Sequence, residues 1–131
     1  MEYCGGGNLA SKTLKDGFQE DMIAMGFAKV VKTVGFLHKR NIMHRDIKPE
    51  NIMFGGPRGE TIKLVDFGLA RNLSGHENRR LTTCGTREFI SPELAKGQYN
   101  SKSDIWSLGV TLYFMMTGKL PFTGNSFDEL V

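Results

Sequence analysis

Between Gln19 and Arg40, Met22, Gly26, Val30, Val34 and Leu37 recur at helical spacing, and Ile23, Phe27 and Val31 widen the stripe. A helix of about six turns with one apolar face is not stable alone in water. The rest of the chain must therefore cover that face. A second, mostly apolar helix is predicted from Ser101 to Thr117, with Gly118 as its stop signal. Two short β-type runs, Asn51 to Phe54 and Thr61 to Val65, flank Gly55-Gly56-Pro57-Arg58-Gly59-Glu60, and the glycines and proline predict a hairpin there. From Phe67 to Pro92 no period is sustained, which in a compact domain marks a functional loop. Gly26 and Gly35 should each cost the first helix about 1 kcal/mol against Ala, so both are expected to mark close packing. The Gly5-Gly6-Gly7 run predicts a mobile connector, followed by a short helix at most. The fold class is mostly α with a short β-hairpin.

Composition narrows the function classes. With 131 residues, 40% of them hydrophobic and 24% charged, the chain has the make-up of one folded domain with one core. The apolar run Ile105 to Met116 is too short to cross a bilayer, which takes about 20 residues. Met1-Glu2-Tyr3 opens no basic or apolar leader, so a cytoplasmic or nuclear location is expected. Cys4 and Cys84 stand far apart and suggest neither a disulfide framework nor a zinc site. The net charge is +3 with no run of five like charges, so neither nucleic acid nor a membrane is expected as a partner.

The chemistry is concentrated in His44-Arg45-Asp46-Ile47-Lys48-Pro49-Glu50-Asn51. Phosphoryl transfer needs a carboxylate to orient a hydroxyl, a cation for the moving phosphoryl group and oxygen ligands for Mg²⁺. Asp46, Lys48 and Asn51 are of those types. An Asp followed five residues later by an Asn means little alone, because loops are rich in both. Asp66-Phe67-Gly68 ends the second β-run with another oxygen ligand, and the predicted hairpin brings it beside Asn51. A third element, Cys84-Gly85-Thr86-Arg87-Glu88-Phe89-Ile90-Ser91-Pro92-Glu93, closes the irregular segment.

These ordered motifs resemble those of the eukaryotic protein kinases, whose set combines such a catalytic loop, an Asp-Phe-Gly and a closing Ala-Pro-Glu. Asp104-Ile105-Trp106-Ser107-Leu108-Gly109 is similar to the central hydrophobic helix of the large kinase lobe, so the resemblance covers essentially all 131 residues. Lys48 and Gly85-Thr86 are the serine/threonine pattern, nearest the calcium/calmodulin-dependent and cyclic-nucleotide-dependent groups. The resemblance implies a partial kinase domain: residues 1–8 as the hinge and 9–131 as the large (C-terminal) lobe, with the small lobe absent and the last helices missing.

It further implies ATP and Mg²⁺ as cofactors. Asp46 would accept the substrate hydroxyl proton, Lys48 would contact the γ-phosphate, and Asn51 and Asp66 would hold Mg²⁺. Backbone groups of Glu2 and Cys4 would bond the adenine edge, and Asn8 lies where a ribose contact is made. His44 and Asp104 match residues that brace the catalytic loop, the aspartate accepting its backbone N–H groups, and neither is expected to be catalytic. Arg45 implies an activation loop ordered by phosphorylation, with Thr82 and Thr83 ahead of Ser74 as acceptors. The implied partner is a protein substrate with a Ser/Thr acceptor, and Glu50 and Glu88 match positions that favour basic residues upstream of it.

The chain departs from the family pattern at Arg87, where Pro is frequent, and at Ser91, where Ala is frequent. Glu93 resembles a glutamate that pairs with a later arginine, yet the last arginine in these residues is Arg87. No G-x-G-x-x-G loop or strand lysine occurs within the 131 residues, so the isolated chain is expected to be poorly active. The alternative is a catalytically inactive, kinase-like binding module. Degenerate members usually lose one of Asp46, Lys48, Asn51 or Asp66, and this chain has all of them.

Overall fold

The computed structural model describes residues 6–11, 20–55, 61–72, 86–98 and 100–124. Helix α1, Glu20–His38, carries the stripe and buries Ile23, Val30, Val34 and Leu37. It ends through Asn41, which adopts a left-handed φ of 57°, a conformation asparagine tolerates better than most residues. The chain then runs through strand β1, Ile42–Met43, and the 44–48 loop into a 3₁₀ turn at Pro49–Asn51. Strands β2, Ile52–Gly55, and β3, Thr61–Leu64, form the predicted antiparallel hairpin, in the register Ile52 opposite Leu64 and Phe54 opposite Ile62. Period-two alternation places Ile52, Phe54 and Leu64 in the core.

Strand β4, Arg71–Asn72, pairs antiparallel with β1, Met43 opposite Arg71. This second sheet lies partly in the segment expected to be irregular. Two residues are too few to show a period, and the pairing exists only because the long-range fold brings β1 alongside. Further on come a 3₁₀ turn at Arg87–Phe89, the short helix α2, Pro92–Ala95, and helix α3, Lys102–Thr117. Gly118 stops α3 at φ 68°, its N–H bonding the Phe114 carbonyl at 2.8 Å. Ser91, one of the departures from the family pattern, caps α2 by accepting the Leu94 N–H at 3.2 Å.

Helices α1 and α3 and the β2–β3 hairpin share one core, in which Leu9, Val30, Val34, Ile47, Ile52, Leu108 and Met115 are buried together. Helix α3, mostly apolar in sequence, is buried on one side only. Ile105, Tyr113 and Met116 are exposed, and Phe122 stacks on Trp106 with ring centroids 5.4 Å apart. None of the helices of the described residues is long and apolar enough to cross a membrane.

The glycine expectations divide. A Cβ on Gly26 would stand 2.9 Å from Ile62 Cδ1, so this residue does mark close packing of α1 on the hairpin. Gly35 is exposed with nothing within 4 Å of an added Cβ, so no packing explains it. In place of a mobile connector, Gly6 and Gly7 lie against β2. The Gly6 N–H donates to the Phe54 carbonyl at 3.0 Å and the Phe54 N–H to the Gly7 carbonyl at 2.9 Å. A Cβ on Gly6 would meet Phe54 at 2.7 Å, so only glycine allows the two backbones this near.

Candidate active site

The 44–51 loop is anchored by groups that lie far away in sequence. The buried Asp104 carboxylate, in the first turn of α3, accepts the His44 N–H at 3.0 Å and the Arg45 N–H at 2.9 Å, as expected of a bracing residue. The His38 ring Nε2, at the end of α1, lies 2.8 Å from the same carboxylate. Arg45 has a left-handed φ of 69° and its side chain donates to the Leu69 carbonyl. Such strain in a non-glycine residue persists only where surrounding bonds over-determine it.

Asp46 emerges from this turn with both carboxylate oxygens engaged. Oδ1 accepts the Thr86 N–H at 3.1 Å and lies 3.2 Å from the Thr86 hydroxyl. Oδ2 accepts from Asn51 Nδ2 at 2.9 Å and pairs with Lys48 Nζ at 3.1 Å. Asn51 Nδ2 also donates to the Asp46 carbonyl at 2.8 Å, and Lys48 Nζ donates to the Thr86 hydroxyl. Asp46, Lys48 and Asn51 are thus one hydrogen-bonded group, joined by Thr86 from 40 residues downstream.

Asp66 is approached through the hairpin. The Val65 N–H donates to the Asn51 carbonyl at 2.9 Å, so the chain enters Asp66 alongside Asn51. Asp66 is exposed, at a left-handed φ of 63°, and its Oδ1 accepts the Gly68 N–H at 3.2 Å. Phe67 turns its ring onto His44, edge to face, with centroids 4.8 Å apart. His44 is fully buried, and that burial lowers its pKa from 6.5, opposed by its bond to Val65 and by the Asp104, Asp46 and Asp66 carboxylates.

No group of three His, Cys, Asp or Glu side chains suited to a metal occurs among the described residues. The Asp66 carboxylate and the Asn51 amide oxygen are hard donors, the set that suits Mg²⁺ when phosphate oxygens complete its shell. Asn8 bridges to Met53 beside β2, and its Oδ1 is committed to the Ser11 N–H at 2.8 Å. Glu2, Cys4, Ser74, Thr82 and Thr83 lie outside the described residues, as does the turn at 56–60.

Two participants carried no assigned role in the sequence. Thr86 stood only as part of a serine/threonine pattern, and its appearance there together with Lys48 was the usable signal. His38 had none, because its partner Asp104 is 66 residues away.

The protein kinase domain family matches residues 1–131. The chain is 40% identical over 131 residues to "Calcium-dependent protein kinase 6" of Plasmodium berghei strain Anka, covering 99% of this chain and 9% of that protein. It is 42% identical over 135 residues to "Serine/threonine-protein kinase Nek5" of Mus musculus, covering 100% of this chain and 21% of that protein. It is 38% identical over 134 residues to "CBL-interacting serine/threonine-protein kinase 10" of Arabidopsis thaliana, covering 99% of this chain and 28% of that protein. The chain therefore spans less than a third of each of these relatives. The match over residues 1–131 and the bonded Asp46–Lys48–Asn51 group lead to one conclusion: the chain belongs to the protein kinase family, with serine/threonine kinases among its relatives.

Proposed function

We propose that this chain is the catalytic-loop part of a serine/threonine protein kinase, which moves the γ-phosphoryl group of ATP to Ser or Thr hydroxyls of proteins. The observation that carries the reading is the Asp46 carboxylate, fixed through Oδ1 by Thr86 and through Oδ2 by Asn51 and Lys48. A carboxylate so held is ready to orient an incoming hydroxyl and take its proton. Lys48, next to it, supplies positive charge where the transferred group would pass. Asn51 and Asp66 would hold Mg²⁺, whose contribution when bound is to neutralise phosphate charge. Glu2, Cys4 and the Nδ2 donor of Asn8 are assigned to the nucleotide. Residues 1–8 are read as a hinge and residues 9–131 as the large lobe.

The expected test is phosphate transfer from labelled ATP to a Ser/Thr-containing protein by the intact protein. Asp46→Asn should lower kcat by about 10²–10⁴-fold, the range of a general base. An unchanged rate in Asp46→Asn would remove the assignment. ATP binding without transfer by the unmutated protein would favour the alternative, an inactive kinase-like binding module. Retention of Asp46, Lys48, Asn51 and Asp66 together speaks for the active reading.

A further inference from the structure

At Arg87 the chain carries a cation where the family pattern frequently has an uncharged proline. The residue directly follows Thr86, whose N–H and hydroxyl lie 3.1 and 3.2 Å from Asp46 Oδ1. Arg87 opens the 3₁₀ turn Arg87–Phe89, and that turn is firmly seated. The Phe89 N–H donates to the Thr86 carbonyl at 3.0 Å and the Ile90 N–H to the Arg87 carbonyl at 3.3 Å. Phe89 is buried, and its carbonyl accepts the Ser107 hydroxyl of α3 at 2.7 Å. The Arg87 backbone therefore holds a set place beside the Asp46 carboxylate.

The cations around Asp46 differ in what they can reach. Arg45 is buried with its side chain bonded to the Leu69 carbonyl, and Lys48 is half-buried between Asp46 and Thr86. The Arg87 side chain, by contrast, is exposed. Successive residues of a 3₁₀ turn project about 120° apart, so Glu88 leaves the turn in a different direction. A guanidinium has five N–H donors in a planar fork that fits a carboxylate, more than a single partner inside the chain takes up. Arg87 is one residue from Thr86, about 3.8 Å between Cα atoms. An extended peptide advances about 3.3 Å per residue, so side chains a few residues from a hydroxyl placed at Asp46 pass within reach of the guanidinium.

We propose that Arg87 is a specificity-determining residue, which selects protein substrates carrying an aspartate or glutamate within about three residues of the acceptor Ser or Thr. The proposal rests on the kinase reading of Asp46 and names the substrate class of that site. It adds to the preference for basic residues upstream implied at Glu50 and Glu88, because opposite charges would meet different positions of one peptide.

The test uses the intact protein and two sets of peptides, each with one serine in a neutral background. A single Asp in one set, and a single Lys in the other, is walked through three positions on either side of the serine. For at least one position kcat/KM should favour Asp over Lys by about tenfold, attraction in one peptide adding to repulsion in the other. Arg87→Glu should invert that preference at the same position, and Arg87→Gln, which keeps a polar side chain without the charge, should bring the ratio to within about twofold of one. Phosphate transfer with no preference for Asp at any position overturns the proposal, and so does a preference that survives in Arg87→Gln. The readout is a ratio between peptides, so a general loss of activity in a variant does not imitate it, and if Arg87→Glu fails to fold, Arg87→Gln decides. If the unmutated protein transfers phosphate to neither peptides nor proteins, the kinase reading falls and the role of Arg87 with it; transfer without the Asp preference removes the role of Arg87 alone.

Discussion

The Thr86 hydroxyl uses both of its functions at once, accepting from the Lys48 ammonium and donating to Asp46 Oδ1. Valine has the same shape without either function. Thr86→Val is expected to lower kcat of the intact protein by about tenfold or more, while Thr86→Ser stays within about threefold, because the hydroxyl is kept. Steady-state kinetics of the pair checks this, and similar rates for both would show that the Thr86 hydroxyl adds nothing to the hold that its N–H, Asn51 and Lys48 have on Asp46. His44 sets a pH dependence of stability. Its folded pKa lies below the unfolded value of 6.5, so on acidification the unfolded chain takes up the proton first. No penalty exists above pH 6.5, and stability falls as the pH drops below it, by at most about 1.4 kcal/mol per pH unit. Urea midpoints of the unmutated protein at pH 7.5, 6.5 and 5.5, set against His44→Gln, isolate this part. Parallel slopes would show that burial of His44 contributes nothing.

The two helical glycines of α1 looked alike in the sequence and behave differently in the fold. Gly35 is exposed with open space beside it, so Gly35→Ala should stabilise the protein by about 0.5–1 kcal/mol, the intrinsic helix preference for Ala. Gly26→Ala should gain less, since the new methyl must displace Ile62 Cδ1. Chemical denaturation of both variants measures the difference, and a larger gain at position 26 would show that the hairpin is not packed against α1. Helix α3 holds a second case. Thr111 is fully buried, and its hydroxyl has no hydrogen-bond partner among the described residues. Thr111→Val should raise stability by about 1 kcal/mol by removing an unsatisfied polar group at nearly constant shape. A loss of stability would reveal a partner for that hydroxyl. The existence of α1, α3 and the hairpin was legible because each repeats its apolar pattern long enough, or is bounded by glycine and proline. The β1–β4 pair was not, since two-residue strands carry no period.

At the scale of the molecule, one carboxylate ties the parts together. Asp104 belongs to α3, bonds two amides of the 44–51 loop and meets His38 at the end of α1. Asp104→Ala would leave two buried N–H groups without partners, at about 1–3 kcal/mol each. The expected result is a fall in stability of about 2–6 kcal/mol, read as a lower denaturation midpoint, together with loss of phosphate transfer. A stable variant with unchanged activity would mean that the loop holds its shape without α3.

The sequence by itself determined the long helices, the hairpin and the ordered motifs, and through the motifs the family. Those properties are local: they depend on side-chain period, turn residues and spacing along the chain. Only the tertiary structure decided which partners complete the site. It brought Thr86 to Asp46 across 40 residues and Asp104 to His38 across 66, laid Gly6 and Gly7 on β2, and left Gly35 without a neighbour. A hydrogen bond between distant residues leaves no mark in local pattern, because what selects it is the position of whole elements packed around a shared core.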